Sequence, residues 1–276
     1  MKKGIIFMLI ATFAFAWMNL MAKYLKDFHP MQVVFFRAMG TFVFIFPYMI
    51  VKKVPIIGKH VFLLSTRGLL SFVSLAFFFK VVQDIPLGSA VALRYTAPIF
   101  SVVLAFFFLK ENVKFWQWMS LIIAITGAFV MKGVDFRIDT NSFILIMLSS
   151  LFVGAVFVIV RYLGSKEHYL TIINYFMMFS IIGSLFFIHT WRMPIGEEWL
   201  WICLIGTLGL AGQVFLTKSF QLAEASTVAP IKYMELVYAL IFGFLLFNES
   251  YGFWPIVGML LVVLGMVLNI WIKRKG

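Results

Sequence analysis

Charge is scarce in this chain, and the scarcity decides its class. Asp, Glu, Lys and Arg make up 12% of the residues, where a soluble domain carries about 25%. Apolar residues make up 63% and the mean hydropathy is +1.02. So few charges cannot cover a water-facing surface, which leaves an integral membrane protein. Cysteine is nearly missing: Cys203 stands alone, so no internal disulfide forms, and it lies within an apolar run. No Gly-rich phosphate loop ends in Gly-Lys-Ser/Thr, and no His-Glu-x-x-His or Gly-x-Ser-x-Gly motif occurs. No two acids share an apolar run, and the four histidines fall at or beyond the run ends. The sequence therefore speaks against an enzyme, an ATP-driven machine, and any cofactor or metal.

What the chain does have is a series of apolar runs long enough to cross a bilayer, each about 20 residues. They read Gly4–Ala22, Met31–Val51, Val61–Val82, Leu87–Leu109 and Phe115–Met131, then Ser142–Tyr162, Tyr169–Thr190, Trp199–Leu222, Ser226–Phe247 and Phe253–Ile272. The runs are continuously apolar rather than alternating, so an all-α integral membrane fold with ten transmembrane helices is expected and a barrel is not. Lys2, Lys3 and the "AFA" at Ala14–Ala16 imitate a cleavable signal. The first run is expected to be retained, because it has a counterpart in the repeat described next.

With the N-terminus placed in the cytoplasm, inner segments hold 13 Lys and Arg and outer segments hold 6. Basic residues favour the inner side, so both ends are expected to be cytoplasmic, in an inner membrane. The net charge of +12 then reflects topology and attraction to anionic lipid rather than nucleic-acid binding.

Shifting the sequence by 138, half its length of 276, aligns unlike polar residues without a gap. Lys80 falls on Lys218, Arg94 on Lys232, Tyr95 on Tyr233, Glu111 on Glu249, Trp116 on Trp254 and Gly127 on Gly265. The expected units are residues 1–138 and 139–276, five runs each. An odd number of runs makes the second unit enter from the opposite side, giving an inverted 5+5 repeat. Two such copies can exchange conformations, which is the architecture of alternating access.

The stretches "GSAVALRYTAPIFSVVLAFFFLKE" and "STVAPIKYMELVYALIFGFLLFNES", each followed by a Gly-containing run, resemble the EamA-type repeat of the drug/metabolite transporter superfamily. "FFRAMG", with Arg37, resembles the arginine of that family's second helix. The resemblance covers the whole chain and implies ten helices and movement of small metabolites such as amino acids. Arg94 departs from it, since the family more often has a small or uncharged residue there.

Arg37, Arg67, Arg94, Lys232 and Glu235 are the charges that lie well inside the runs, away from their ends. A charge in mid-bilayer costs roughly 2.5–3.5 kcal/mol on insertion scales and usually faces an interior or a wet cavity. Arg37 and Arg67 are each about six residues in, about 9 Å deep, where they snorkel or pin helices together. Arg94 and Lys232 each adjoin a tyrosine, Tyr95 or Tyr233, and a helix-disrupting proline, Pro98 or Pro230. A cation, a phenol and a loosened helix suit the lining of a polar cavity. Glu235 shares a helical face with Lys232, either as a structural pair or as a group exchanging a proton. Trp17, Asn19, Gln213 and Tyr238 are further lining candidates, with interhelical bonding the alternative. Glu111 and Glu249 are read as helix caps or partners of lysine, structural or gating. Gly127, Gly258 and Gly265 give small faces for packing within a half or across a homodimer.

The expected protein is a secondary transporter of small, carboxylate-bearing metabolites, coupled to protons through Glu235 or driven by the substrate gradient. A passive facilitator or channel is the alternative.

Overall fold

A computed structural model of the chain describes residues 2–110, 113, 115–163, 166–222 and 230–274. Among these the structure is all helical. The helices are α1 (Lys2–Tyr24), α2 (Pro30–Val51), α3 (Val61–Asp84), α4 (Leu87–Arg94), α5 (Ala97–Leu109) and α6 (Phe115–Val134). They continue as α7 (Thr140–Leu163), α8 (Tyr169–Leu185), α9 (Glu198–Leu222), α10 (Met234–Phe247) and α11 (Phe253–Arg274). Short 3₁₀ turns cover Ile188–Thr190 and Pro230–Tyr233. Seven segments are long and apolar enough to cross a membrane, Leu87–Leu109 counted as one. Tyr169–Leu185 and Phe253–Asn269 are apolar but shorter.

Helix boundaries follow local chemistry. His29 and His168 cap α2 and α8, their ring nitrogens accepting from Met31 N (3.3 Å) and Leu170 N (3.2 Å). The run at Leu87–Leu109 breaks after Arg94, and Pro98 sits in the first turn of α5. Proline cannot donate to the carbonyl four residues back, that of Arg94, so the break falls where the ladder loses its bond. Both α5 and α10 end on a left-handed residue, Lys110 at φ 52° and Asn248 at φ 51°. Their N–H groups bond to Ala105 O and Gly243 O respectively. These terminations are the same turn, 138 residues apart in sequence.

The packing pattern also appears twice. Helix α1 lies along α9, and α3 lies along α7. Helices α4 and α5 contact α7, while the 3₁₀ turn at Pro230–Tyr233 and α10 contact α1. Helix α3 meets α8 as α2 meets α9. Helices α2 and α8, and α6 and α11, pair with one another. These pairings recur at an offset of 138 residues, whereas the contacts of α3 with α1 and α2 and of α4 with α11 are not matched to the same extent.

The α6–α11 pair is set by small residues. A Cβ on Gly127 would lie 2.6 Å from Gly258 O, and one on Gly265 would lie 2.5 Å from Ser120 O. These faces join the two halves within one chain. The sequence reading placed them within a half or between protomers; backbone-to-backbone packing inside the chain already occupies them.

Candidate functional site

The central core runs through α1, α3, α4, α9 and α10, and the intramembrane charges gather beside it. Arg94 ends α4, and Lys232 lies in the 3₁₀ turn that leads into α10. Glu235 follows in the first turn of α10. All three are half-buried.

Glu235 is held by two residues far from it in sequence, both before residue 138. Its Oε1 accepts from Asn19 Nδ2 at 2.9 Å, and its Oε2 accepts from the Tyr95 hydroxyl at 3.2 Å. The same hydroxyl donates to Lys232 O at 2.7 Å. Lys232 attracts Glu235 electrostatically without bonding to it among the described residues. The carboxylate's hydrogen bonds go to neutral donors, so the structural-pair reading is not what the geometry presents. The rings of Tyr95 and Tyr233 meet at 5.3 Å and 68°.

Arg94 places its guanidinium 3.8 Å from the centre of the Phe78 ring, on α3. It lies within electrostatic range of Glu235 on one side and Arg37 on the other. Arg37 and Arg67, 5% and 8% exposed, do not snorkel outwards. Both face the ring of Phe176 on α8, at 4.9 Å and 5.3 Å. Arg67 Nη1 donates to Ile172 O at 3.0 Å.

Among the other expected lining residues, Asn19 joins the site directly. Trp17 and Tyr238 instead enter an aromatic cluster with Phe13 and Phe242, the Tyr238 ring 5.4 Å from Phe13 and the Trp17 ring 5.2 Å from Phe242. The Trp17 Nε1 is nonetheless buried without a partner among the described residues. Gln213 is half-buried on α9. Pro98 opens α5; Glu111 and the side chain of Pro230 lie outside the described residues.

Glu249 forms a separate centre at one end of the bundle. It pairs with Lys23, accepts from Leu87 N at 2.9 Å and from the Tyr251 hydroxyl at 2.5 Å, and so caps α4. Gly88 N donates to the Tyr251 oxygen at 3.0 Å. Burial, reinforced by the Glu249 carboxylate, pushes the Tyr251 phenol up and keeps it protonated. Glu249 thus caps α4 rather than the helix that follows it, and its lysine partner comes from α1. Sequence reasoning missed Lys23, Phe78 and Phe176. The first had a signal, since a shift by 138 sets Lys23 on Arg161 just as it sets Glu111 on Glu249.

A bundle of long apolar helices with cations inside it defines a multi-pass membrane protein. The chain belongs to the EamA-like transporter family, whose sequence profile matches residues 2–132 and again 140–271. Human solute carrier family 35 member G1 is 27% identical over 99% of this chain and 80% of its own length. The pseudopaline exporter CntI of Pseudomonas aeruginosa is 26% identical over 97% of this chain and 95% of its own. The S-adenosylmethionine uptake transporter of Rickettsia prowazekii is 24% identical over 99% and 94%. A crystal structure of another protein superposes with a TM-score of 0.67 over 98% of each chain at 15% identity, a likeness of fold alone.

Proposed function

We propose that the chain is a secondary transporter of small, carboxylate-bearing metabolites, with amino acids among them, working by alternating access between two inverted five-helix halves, residues 1–138 and 139–276. Three observations support the halves: the helix pairings that recur at an offset of 138 residues, the matching left-handed turns at Lys110 and Asn248, and the contact of Tyr95 with Tyr233. Residues one repeat apart can touch only near the axis that relates the copies, and Arg94 and Lys232 flank that contact. The excess of basic residues in alternate segments supports cytoplasmic termini and an inner-membrane location.

The observation that carries the reading is Glu235, a carboxylate of the second half held inside the bundle by Asn19 and Tyr95 of the first. Rearrangement of the halves changes its partners, which suits a group that takes and releases a proton as access alternates. Arg94 and Lys232 attract the substrate's acid group. The names of the relatives include both an exporter and an uptake transporter, consistent with direction set by gradients.

At one end, Lys23, Glu249 and the α4 N-terminus form a closed contact between the halves. Opening this contact is the step that gives access from that end.

The test is flux in proteoliposomes. Lys232→Ala and Arg94→Ala abolish transport while leaving folded protein, and Glu235→Gln retains exchange but loses pH dependence. Normal transport by both cation variants rejects the site. Flux without counterflow stimulation means a passive facilitator or channel instead.

A further inference from the structure

Apart from the Lys23–Glu249 pair, Arg37, Arg67, Arg94 and Lys232 have one carboxylate, Glu235, near them among the described residues, and the imbalance is concentrated at Arg37 and Arg67. Glu235 already serves Asn19 and Tyr95 and lies within range of Lys232 and Arg94. No acid accompanies Arg37 and Arg67: among the described residues they share the Phe176 ring and no ion pair. Contact with a ring uses the face of a guanidinium and leaves its in-plane N–H groups free. Those groups are unmet: Arg37 Nε, Arg37 Nη1 and Arg67 Nε are buried without a partner among the described residues. Arg94 Nη1 is in the same condition.

A purely structural arginine in a membrane bundle spends its donors on backbone carbonyls, as Arg67 does with Ile172 through one nitrogen. Arg37 leaves two donors unspent although it is more deeply buried. The surroundings accommodate this arrangement. Gly209 lets α9 pack close to Arg37 without a side chain between them, since a Cβ there would stand 3.2 Å from Arg37 Nε. Unpaired planar forks held on an aromatic ring form a receptor for a carboxylate, which accepts two parallel N–H bonds.

We propose that Arg37 and Arg67 form an anion subsite that takes one carboxylate of a substrate carrying two, and that the transported class is small dicarboxylates. Arg94 lies between this subsite and the Glu235–Lys232 end, so the second carboxylate falls to Arg94 and Lys232. This rests on the transport reading above and adds to it a charge requirement: the substrate brings the acid that the Arg37–Arg67 end lacks.

The test uses the full chain in lipid nanodiscs, titrated by calorimetry with succinate, with butyrate of equal carbon number, and with inorganic phosphate. Succinate is expected to bind at least tenfold tighter than butyrate. Arg37→Gln and Arg67→Gln each reduce succinate to the butyrate level and change butyrate binding less than threefold. Arg37→Lys falls between, because lysine keeps the charge without the fork. Equal affinity for succinate and butyrate, an unchanged preference in both glutamine variants, or phosphate binding tighter than succinate overturns the proposal. Should the glutamine variants not fold, phenylglyoxal modification of the unaltered protein decides the matter. Succinate then slows labelling of Arg37 and Arg67 at least threefold, and absence of protection overturns the subsite. Arg94→Ala and Lys232→Ala in the same titration report on the transport site. If these lose binding while the Arg37 and Arg67 variants keep the preference for succinate, the subsite alone is rejected and the transport reading stands.

Discussion

Lys23 and Glu249 meet across the bundle, one from the end of α1 and the other from the segment between α10 and α11. Lys23 also donates to Ile85 O at 2.7 Å, and Glu249 accepts from Leu87 N, so the pair grips both sides of the Ile85–Pro86 connection. Breaking a buried pair by removing one partner costs about 3–5 kcal/mol, much of it from stranding the other charge. Lys23→Ala and Glu249→Ala are each expected to lower the unfolding temperature in detergent. A double-mutant cycle is expected to give a coupling of about 0.5–3 kcal/mol; a coupling near zero would mean the two charges act separately.

Tyr95→Phe removes a hydroxyl that donates both to Lys232 O and to Glu235. A hydrogen bond to a charged group is worth about 1.5–3 kcal/mol, so flux in proteoliposomes should fall roughly tenfold or more, since about 1.4 kcal/mol is one decade. Expression and monodispersity should hold, because the ring and its contact with Tyr233 remain. Wild-type flux in this variant would show that the phenol is only packing.

Much of this arrangement was legible in the sequence, and the parts that were not share a cause. Apolar run length located the helices, and Pro98 marked the break between α4 and α5, because span length and ladder breaks are local properties. The offset of 138 picked out Arg94, Tyr95, Lys232 and Tyr233 as a set, and the fold brings the two tyrosines into contact. Asn19 could be named a lining candidate but its partner could not, since Asn19 and Glu235 are 216 positions apart. Phe78 and Phe176 were lost among the 34 phenylalanines, which look alike until packing selects those that meet a guanidinium. Trp17 and Tyr238 promised stacking surfaces, and the fold gives them to each other's neighbours, Phe13 and Phe242.

Glu167 links two connections outside the spans, accepting from His60 N at 2.7 Å and lying 2.9 Å from His60 Nδ1. Burial raises its carboxyl, but the bonds from the His60 ring and backbone outweigh that and hold it below the usual carboxylate range. A lowered folded value stabilises the folded state above the unfolded value, about 4.3, and the effect is lost as pH falls through the folded one. Glu167→Gln should therefore lower the unfolding temperature at neutral pH, with the gap from wild type closing in acid below about pH 4. A gap that is constant with pH would remove the ionised carboxylate from the explanation.

Gly127→Leu places a side chain where Gly258 O and Leu261 already stand. Overpacking typically costs about 1–3 kcal/mol, and here it also separates α6 from α11. The variant should unfold at lower temperature, whereas Phe107→Leu, at an exposed apolar position, should change little. Equal stability of the two would show that the glycine contact is not tight.

The glycine seam between α6 and α11 has a mechanical meaning beyond stability. Where backbones touch with no side chain between them, nothing can swing aside to let the helices part. On the alternating-access reading proposed above, this edge is the hinge expected to stay shut while the rest of the bundle rearranges.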